Sequence, residues 1–384
     1  MCQAFAEAGC EPLLVHPARR TFPTPVGEYY GLRRDVARHP GACLDVTGWL
    51  PETSWINRRF GPAASTLTTA TFVLGLLPRL FSIRRQKDAL IYTRDLRIAS
   101  VISACFPSLR RRLFVECHSV SVSARRRAVQ LRILKRCAGV VCMTGAMQNR
   151  FVEMGIPVEH TLVATDAVDL ETFVADIGRP DARAMLGLDP DATIAAFIGR
   201  FHTMEMEKGI PGVIEAARYL VAGRPGLRFA FIGGPLDRVA AYRAQIERLG
   251  LPADRFLFFD KQPVTDIPKW LAAADMLLMP FPWTEHYAYY ASPLKMFEYM
   301  AGNRPVVASE LPVVTEVLEH GRDALLVPPD DAPALANAIG RLIDDTALGA
   351  RLAAAAFAKV QTRSWAARAE SILSFMAARI AGGK

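Results

Sequence analysis

The chain has 384 residues, 51% apolar and 22% charged, which is too long for one average core and too apolar for disorder. It suits two domains of roughly 180 residues each. Seven scattered cysteines with no CxxC pair argue against a disulfide framework or a cysteine-ligated zinc, and fit a reducing compartment. The net charge of +8 is lopsided: residues 1–180 hold 24 Lys and Arg against 15 Asp and Glu, and the remainder is near neutral. Such a basic half fits solvated surface, anionic lipid or phosphate-bearing partners. Nucleic acid is disfavoured, because no aromatic residues interleave the arginines.

Residues 1–9 read as a short amphipathic helix with no visible signal peptide ahead of it, and 11–16 as a strand. Residues 61–78 carry no charge, and eighteen residues is the lower limit for a membrane span. Five Ser/Thr, two Pro and two Gly weaken that reading. A stripe of Leu67, Ala70, Leu74, Leu77 and Phe81 fits a helix on a sheet, or one at a membrane surface beside Arg84 and Arg85. Apolar runs at 89–92, 113–116 and 139–143 each end in polar residues, as strands of a parallel α/β sheet do. Arginine triplets stand at 110–112 and 125–127, and His118 follows the second run. Residues 178–181, Gly-Arg-Pro-Asp, read as a linker.

Beyond it strands are expected at 193–199, 228–233, 256–259, 276–280, 305–308 and 324–327, with helices at 210–222, 237–249 and 267–274. This is a doubly wound pattern. Residues 347–380 are Ala-rich and helical. Ser292-Pro293 reads as a helix start, a side-chain cap followed by a ring of fixed φ. Leu294, Phe297, Met300 and Ala301 then recur at helical spacing up to Gly302. A helix that begins at the carboxyl edge of a parallel sheet aims its amides at anionic ligands. Lys295 and Glu298 sit in its first turns, an ammonium for a phosphate and a carboxylate for vicinal hydroxyls. Upstream, Gly199-Arg200 leaves one strand and Lys208-Gly209 opens a helix, two cations fit for a pyrophosphate. Gly233-Gly234 permits close backbone approach. There is no G-x-G-x-x-G and no Walker loop, and Asp189-Pro190-Asp191 reads as a turn, not a metal site.

Read together, FEYMAGNRPVVAS (297–309) and FIGRFHTMEMEKG (197–209) resemble the family 4 glycosyltransferases. SPLK-x-x-EYMA is similar to a sub-branch with a rebuilt loop. The resemblance implies the GT-B fold, two Rossmann-like doubly wound domains facing a central cleft. The domains would be 1–178 on the acceptor side, 179–361 for the nucleotide sugar, and a helix at 362–384 crossing back. VECHS, GIP at 155–157 and DAVDLETF at 166–173 resemble segments of the first domain, in which the family's first strand and glycine-rich loop have no counterpart here.

The implied activity is retaining, metal-independent transfer of a hexose from a GDP- or UDP-sugar to a saccharide or lipid-linked acceptor. Cell-surface polysaccharide or glycolipid synthesis would be its setting, in the cytoplasm, with peripheral contact to the inner face of the membrane through the basic half. No cofactor is implied beyond the donor. Arg200, Lys208, His118 and Glu298 would carry the chemistry. Gly199, Arg200, Lys208, Gly233, Ser292, Pro293, Leu294, Lys295 and Glu298 would hold the donor. The family's second glutamate, eight positions before Glu298, is Tyr290 here. That favours a front-face displacement over a carboxylate nucleophile. A non-catalytic sugar-nucleotide-binding subunit and an epimerase on the same fold are the rival readings.

Overall fold

The computed structural model describes residues 1–17, 43–46, 62–174, 177–203 and 205–382. The chain forms two compact units. Unit one comprises 1–143, 147–164 and 365–384, and unit two comprises 144–146 and 165–364. The chain thus passes into unit two at 165, not at 178. The predicted linker is instead a helix start, with Gly178 as N-cap of Arg179–Leu186 and Pro180 in its first turn.

Unit one contains two parallel sheets. Strands β1 (Leu14–Pro17) and β2 (Cys43–Val46) pair with each other. Strands β3 (Ile91–Thr93), β4 (Leu113–Cys117), β5 (Gly139–Cys142) and β6 (Thr161–Val163) form a four-stranded sheet in that order. β4 and β5 are buried along their whole length, which is why both read as apolar runs, interrupted in β4 by Glu116 alone. The helix Leu96–Cys105 starts where Asp95 accepts from the amides of Arg97 and Ile98.

Residues 347–380 form two helices, Thr346–Val360 in unit two and Trp365–Ala381 in unit one, the second lying within the stretch 362–384 where a separate helix was expected. The break follows from docking, since Val168 N donates to Arg363 O between them. Trp365–Ala381 packs Ile372, Phe375 and Met376 on Phe114 and Val141.

The charge-free segment is part of the helix Pro62–Arg85, and no helix among the described residues is long and apolar enough to cross a membrane. The face it buries differs from the predicted stripe. Phe72, Leu76 and Leu80 are buried, whereas Leu74 and Phe81 are exposed. Apolar residues surround this helix on every side, so periodicity alone selects no face; Leu67 lies outside the side chains described. The arginines nearby are partly taken up by the backbone. Arg110 bonds Ser103 O, Arg112 bonds Gln86 O and Arg127 bonds Val122 O.

Unit two is built on six parallel strands: β7 (Thr193–Ile198), β10 (Leu227–Ile232), β11 (Phe256–Phe259), β12 (Met276–Met279), β13 (Val306–Ser309) and β14 (Leu325–Val327). A small antiparallel hairpin, β8 (His202–Thr203) and β9 (Met206–Glu207), lies between the first two. The sheet order is β11-β10-β7-β12-β13-β14, which reverses direction at β7 and β12. Successive residues feed opposite faces. Ile194, Ala196 and Ile198 join one buried cluster, and Ala195 and Phe197 the other. This two-sided burial, with helices on both faces, is the doubly wound arrangement expected from the sequence.

Candidate active site

In an open parallel sheet, ligands bind beyond the carboxyl ends of the strands where the strand order reverses. In unit two that place lies past β7 and β12. β7 is followed by Gly199 with φ +137°, and a Cβ there would come within 2.9 Å of Lys295 Cε and Nζ. Only glycine lets the lysine stem lie this close. Gly233, at the end of β10, approaches equally closely: a Cβ on it would fall 2.5 Å from Gly199 O.

The residues between Arg200 and Lys208 are not a loose loop. They form the β8–β9 hairpin, which folds back so that Lys208 N donates to Phe201 O at 3.1 Å. The long insert therefore returns Lys208 beside Arg200. Arg200 is exposed and Lys208 half-buried. Burial lowers the Lys208 ammonium from its ordinary value, and the Arg200 charge lowers it further.

Lys295 belongs to the helix Leu294–Ala301, which follows a π-helical turn, His286–Tyr290. Tyr299 locks this helix to β7: its hydroxyl donates to Ile198 O at 2.9 Å and accepts from Ile198 N at 2.7 Å. Lys295 is 7% exposed, and its Nζ has no hydrogen-bond partner among the described residues. The ammonium lies 3.5 Å from the centroid of the Phe197 ring and 5.4 Å from that of Phe281. Burial holds its pKa well below the usual lysine value, and Lys208 adds to the effect. Glu298, one turn on, is pushed up to about 7 by burial against the opposing pull of Lys295, with Asp166 adding to the rise. Two lysines that disfavour each other's charge, beside an arginine, make a pocket that an anion would stabilise.

The structure brings Gly199, Arg200, Lys208, Gly233, Lys295 and Glu298 together at this edge. Ser292 does not cap the helix as expected. The N-cap is Pro293, without a side-chain bond, and Ser292 Oγ accepts from Asp166 N at 2.8 Å instead. Leu294 starts the helix and is 44% exposed. His118 belongs to unit one. There its Nε2 lies 2.7 Å from Glu116 Oε1. Asp189 Oδ1 accepts from Asp191 N, the turn that was expected.

Tyr290, which stands where the resemblance expects a second glutamate, donates to Glu285 at 3.0 Å, so a carboxylate does stand in this loop. Two features escaped sequence reading. His286 has its pKa lowered by burial and by Lys208. Its one signal was the aromatic run HYAYY, which carries no helical or strand period. Glu116 is the second. It is a buried carboxylate inside an apolar strand, and that alone marks it as needing partners.

Comparison with known proteins gives this geometry a family context. Residues 192–345 match the sequence model of the family described as Glycosyl transferases group 1. A D-inositol 3-phosphate glycosyltransferase of Nocardia farcinica is 30% identical over 256 residues, 65% of this chain and 54% of that one. The lipopolysaccharide core biosynthesis mannosyltransferase LpsB of Rhizobium meliloti is 27% identical over 241 residues, 61% of this chain and 63% of that one. The chain thus spans about half to two-thirds of the length of these curated relatives. Among solved structures, sucrose-phosphate synthase from Thermosynechococcus elongatus superposes with a TM-score of 0.72 at 21% identity, over 99% of this chain and 92% of that one. Anabaena HepE, solved with UDP and glucose, gives 0.70 at 21% identity, over 96% and 100%. The chain therefore has the GT-B fold, and its residues 192–345 are similar to the Glycosyl transferases group 1 domain.

Proposed function

We propose that the protein is a retaining glycosyltransferase that moves a hexose from a nucleotide sugar to a saccharide or lipid-linked acceptor in cell-surface glycan synthesis. The observation that carries this reading is the buried Lys295 ammonium without a hydrogen-bond partner, beside Lys208 and Arg200 at the strand-order reversal of unit two. The helix Leu294–Ala301 would present Lys295 to a pyrophosphate, and Glu298 would accept from the ribose hydroxyls. As the bond from sugar to phosphate breaks, negative charge grows on the leaving phosphate. Cations already fixed by the fold stabilise that state more than the ground state. In this reading the side chains and helix amides do the work that a bound metal does elsewhere. The donor is a UDP- or GDP-sugar; likeness to HepE, solved with UDP, favours UDP.

Retention is assigned to front-face displacement, in which a leaving phosphate oxygen takes the acceptor proton. Tyr290 holds Glu285 by a hydrogen bond, so Glu285→Gln separates the two mechanisms. Lost turnover with donor binding intact would replace front-face displacement by a carboxylate nucleophile. We place the protein in the cytoplasm at the membrane's inner face, where Leu74, Phe81, Arg84 and Arg85 would meet anionic lipid.

A thermal-shift screen of UDP-, GDP- and ADP-sugars against wild type and Glu298→Ala tests the core of the reading. A ligand at about 100 times its dissociation constant adds roughly 2.7 kcal/mol. One nucleotide class should stabilise the wild type and not the variant. No shift with any nucleotide would sink the reading.

A further inference from the structure

Unit two carries a second concave site, on the sheet face opposite the one that packs the helix Leu294–Ala301. The helices Ile210–Ala217 and Ala332–Asp344 share that face. Ile210, Val213, Leu335 and Ile339 join one buried cluster, whereas Phe297, Tyr299 and Met300 join the other. The chain leaves the first helix through Tyr219 and a short 3-10 turn, Val221–Gly223, before it enters β10. Between this connection and the second helix lies an open groove of about 340 Å³. Small-molecule sites occupy roughly 300–1,000 Å³, so the groove is large enough for one small ligand.

Gly340 keeps the groove open. It is buried inside a helix, a position where glycine weakens the helix it belongs to. A Cβ there would lie 3.4 Å from Arg224 Nη2 and 3.6 Å from Leu220 Cδ2, so a longer side chain would enter the groove.

The walls are aromatic and polar. Tyr219 is 57% exposed, and its hydroxyl bonds no described residue. Arg224 Nη2 meets Asp344 Oδ2 at 2.7 Å, the one from the connection and the other from the helix, with 28% and 65% of their side chains exposed. An ion pair this accessible contributes little stability of its own. Asn337 and Arg341 stand one helical turn apart on the same exposed face, and their side chains bond no described residue.

This lining mixes hydrogen-bond roles. The guanidinium groups donate, the Asp344 carboxylate accepts, and the Asn337 amide and Tyr219 hydroxyl do both. A phosphate only accepts, and it would face the charge of Asp344. A metal cation would face Arg224 and Arg341. Sugar hydroxyls donate and accept, and a vicinal pair of them spans a planar guanidinium, carboxylate or amide. The C–H face of a pyranose is apolar and slightly positive, which suits the flat, negative face of an exposed phenol ring.

We propose that this groove binds a hexopyranose unit of a saccharide. The ring's C–H face lies on Tyr219, and its hydroxyls are shared between the Arg224–Asp344 pair and Asn337. The site is one of binding alone. It does not rest on the glycosyl-transfer reading, because none of its residues belongs to the Lys295 pocket.

The test uses the full chain labelled with 3-fluorotyrosine, in which Tyr219→Phe assigns the Tyr219 fluorine resonance. Methyl α-glucopyranoside, methyl α-mannopyranoside and methyl α-galactopyranoside are titrated in turn. The expected result is a saturable shift of that resonance with at least one of them, weakened at least about tenfold in Asn337→Ala and lost in Gly340→Leu. No saturable shift with any of the three, or equal affinity in wild type and Asn337→Ala, would overturn the proposal. The unfolding midpoint shows whether Gly340→Leu is folded, and Asn337→Ala, at an exposed position, carries the comparison where it is not.

Two further outcomes also refute a saccharide. A tighter, Arg341-dependent response to inorganic phosphate or UDP would make this an anion site. A shift that follows protein concentration without added ligand would make it a contact between copies of the chain. Nucleotide stabilisation measured on the same samples reports on the Lys295 pocket alone, so a failure of the transfer reading is distinguished from a failure of this site.

Discussion

Lys295→Met should make the protein more stable and less able to bind nucleotide. Methionine keeps the unbranched stem that lies against Gly199 and removes an ammonium that has no hydrogen-bond partner. Exchanging a buried charge for an apolar side chain of similar size is commonly worth about 1–4 kcal/mol. Against this stands the attraction of the ammonium to Phe197, 3.5 Å from the ring centroid, of about 2 kcal/mol for a desolvated pair. The net expectation is a gain of up to about 2 kcal/mol. Glu298 limits the loss on the other side, since a carboxyl already near 7 takes up a proton when its cation is removed.

The gain should depend on pH with a definite sign. The folded pKa of Lys295 is depressed, so the cost of its charged form is full at low pH and vanishes as the pH approaches 10.5, the ordinary lysine value. Urea unfolding at several pH values, with and without a nucleoside diphosphate, measures both effects. The variant should exceed wild type most at neutral pH and below, and should gain less from nucleotide. A variant less stable than wild type at neutral pH, with undiminished nucleotide stabilisation, would refute the picture of a charge held ready for an anion.

Gly209→Ala should cost more than about 3 kcal/mol or prevent folding, because φ is +91° and the new Cβ would lie 1.7 Å from Pro280 O. Gly212→Ala, three residues on in the same helix with nothing within 4 Å, should instead stabilise by up to about 1 kcal/mol; chemical denaturation of the pair checks this. Arg368→Met should cost about 2–3 kcal/mol, below the usual 3–5 for orphaning a buried charge, because Tyr92, His118 and Arg94 still contact Glu116. Adding Glu116→Gln should recover much of that loss in a double-mutant cycle. Glu298, with a folded pKa raised to about 7 from 4.5, favours the protonated fold. Nucleotide-free stability should therefore fall by up to about 3 kcal/mol as pH rises from about 4.5 to 7, and Glu298→Gln should flatten that slope.

The strands of unit two were legible because a parallel sheet buried on both faces demands unbroken apolar runs, such as TIAAFI and MLLM, punctuated by glycine and proline. The cations were legible because Arg200 and Lys208 end one strand and precede the next helix. The amphipathicity of LKMFEYMA likewise marked its helix. These are local properties, set by backbone geometry and by which side chains water excludes.

What the tertiary structure decided depends on neighbours distant in the chain. The face buried by Pro62–Arg85 was decided by what packs against it, since its apolar residues form no single stripe. Ser292 gave up its cap because Asp166 N, 126 residues earlier, lies within bonding distance. The insert before Lys208 became a hairpin that returns the lysine to Arg200, and the charge of Lys295 became consequential only once Phe197 and Gly199 had enclosed it. Glu116 shows the division most plainly: a lone acid in an apolar strand signals a need for partners, but Tyr92, Arg94 and Arg368 become those partners only when the sheet and the C-terminal helix have assembled around it.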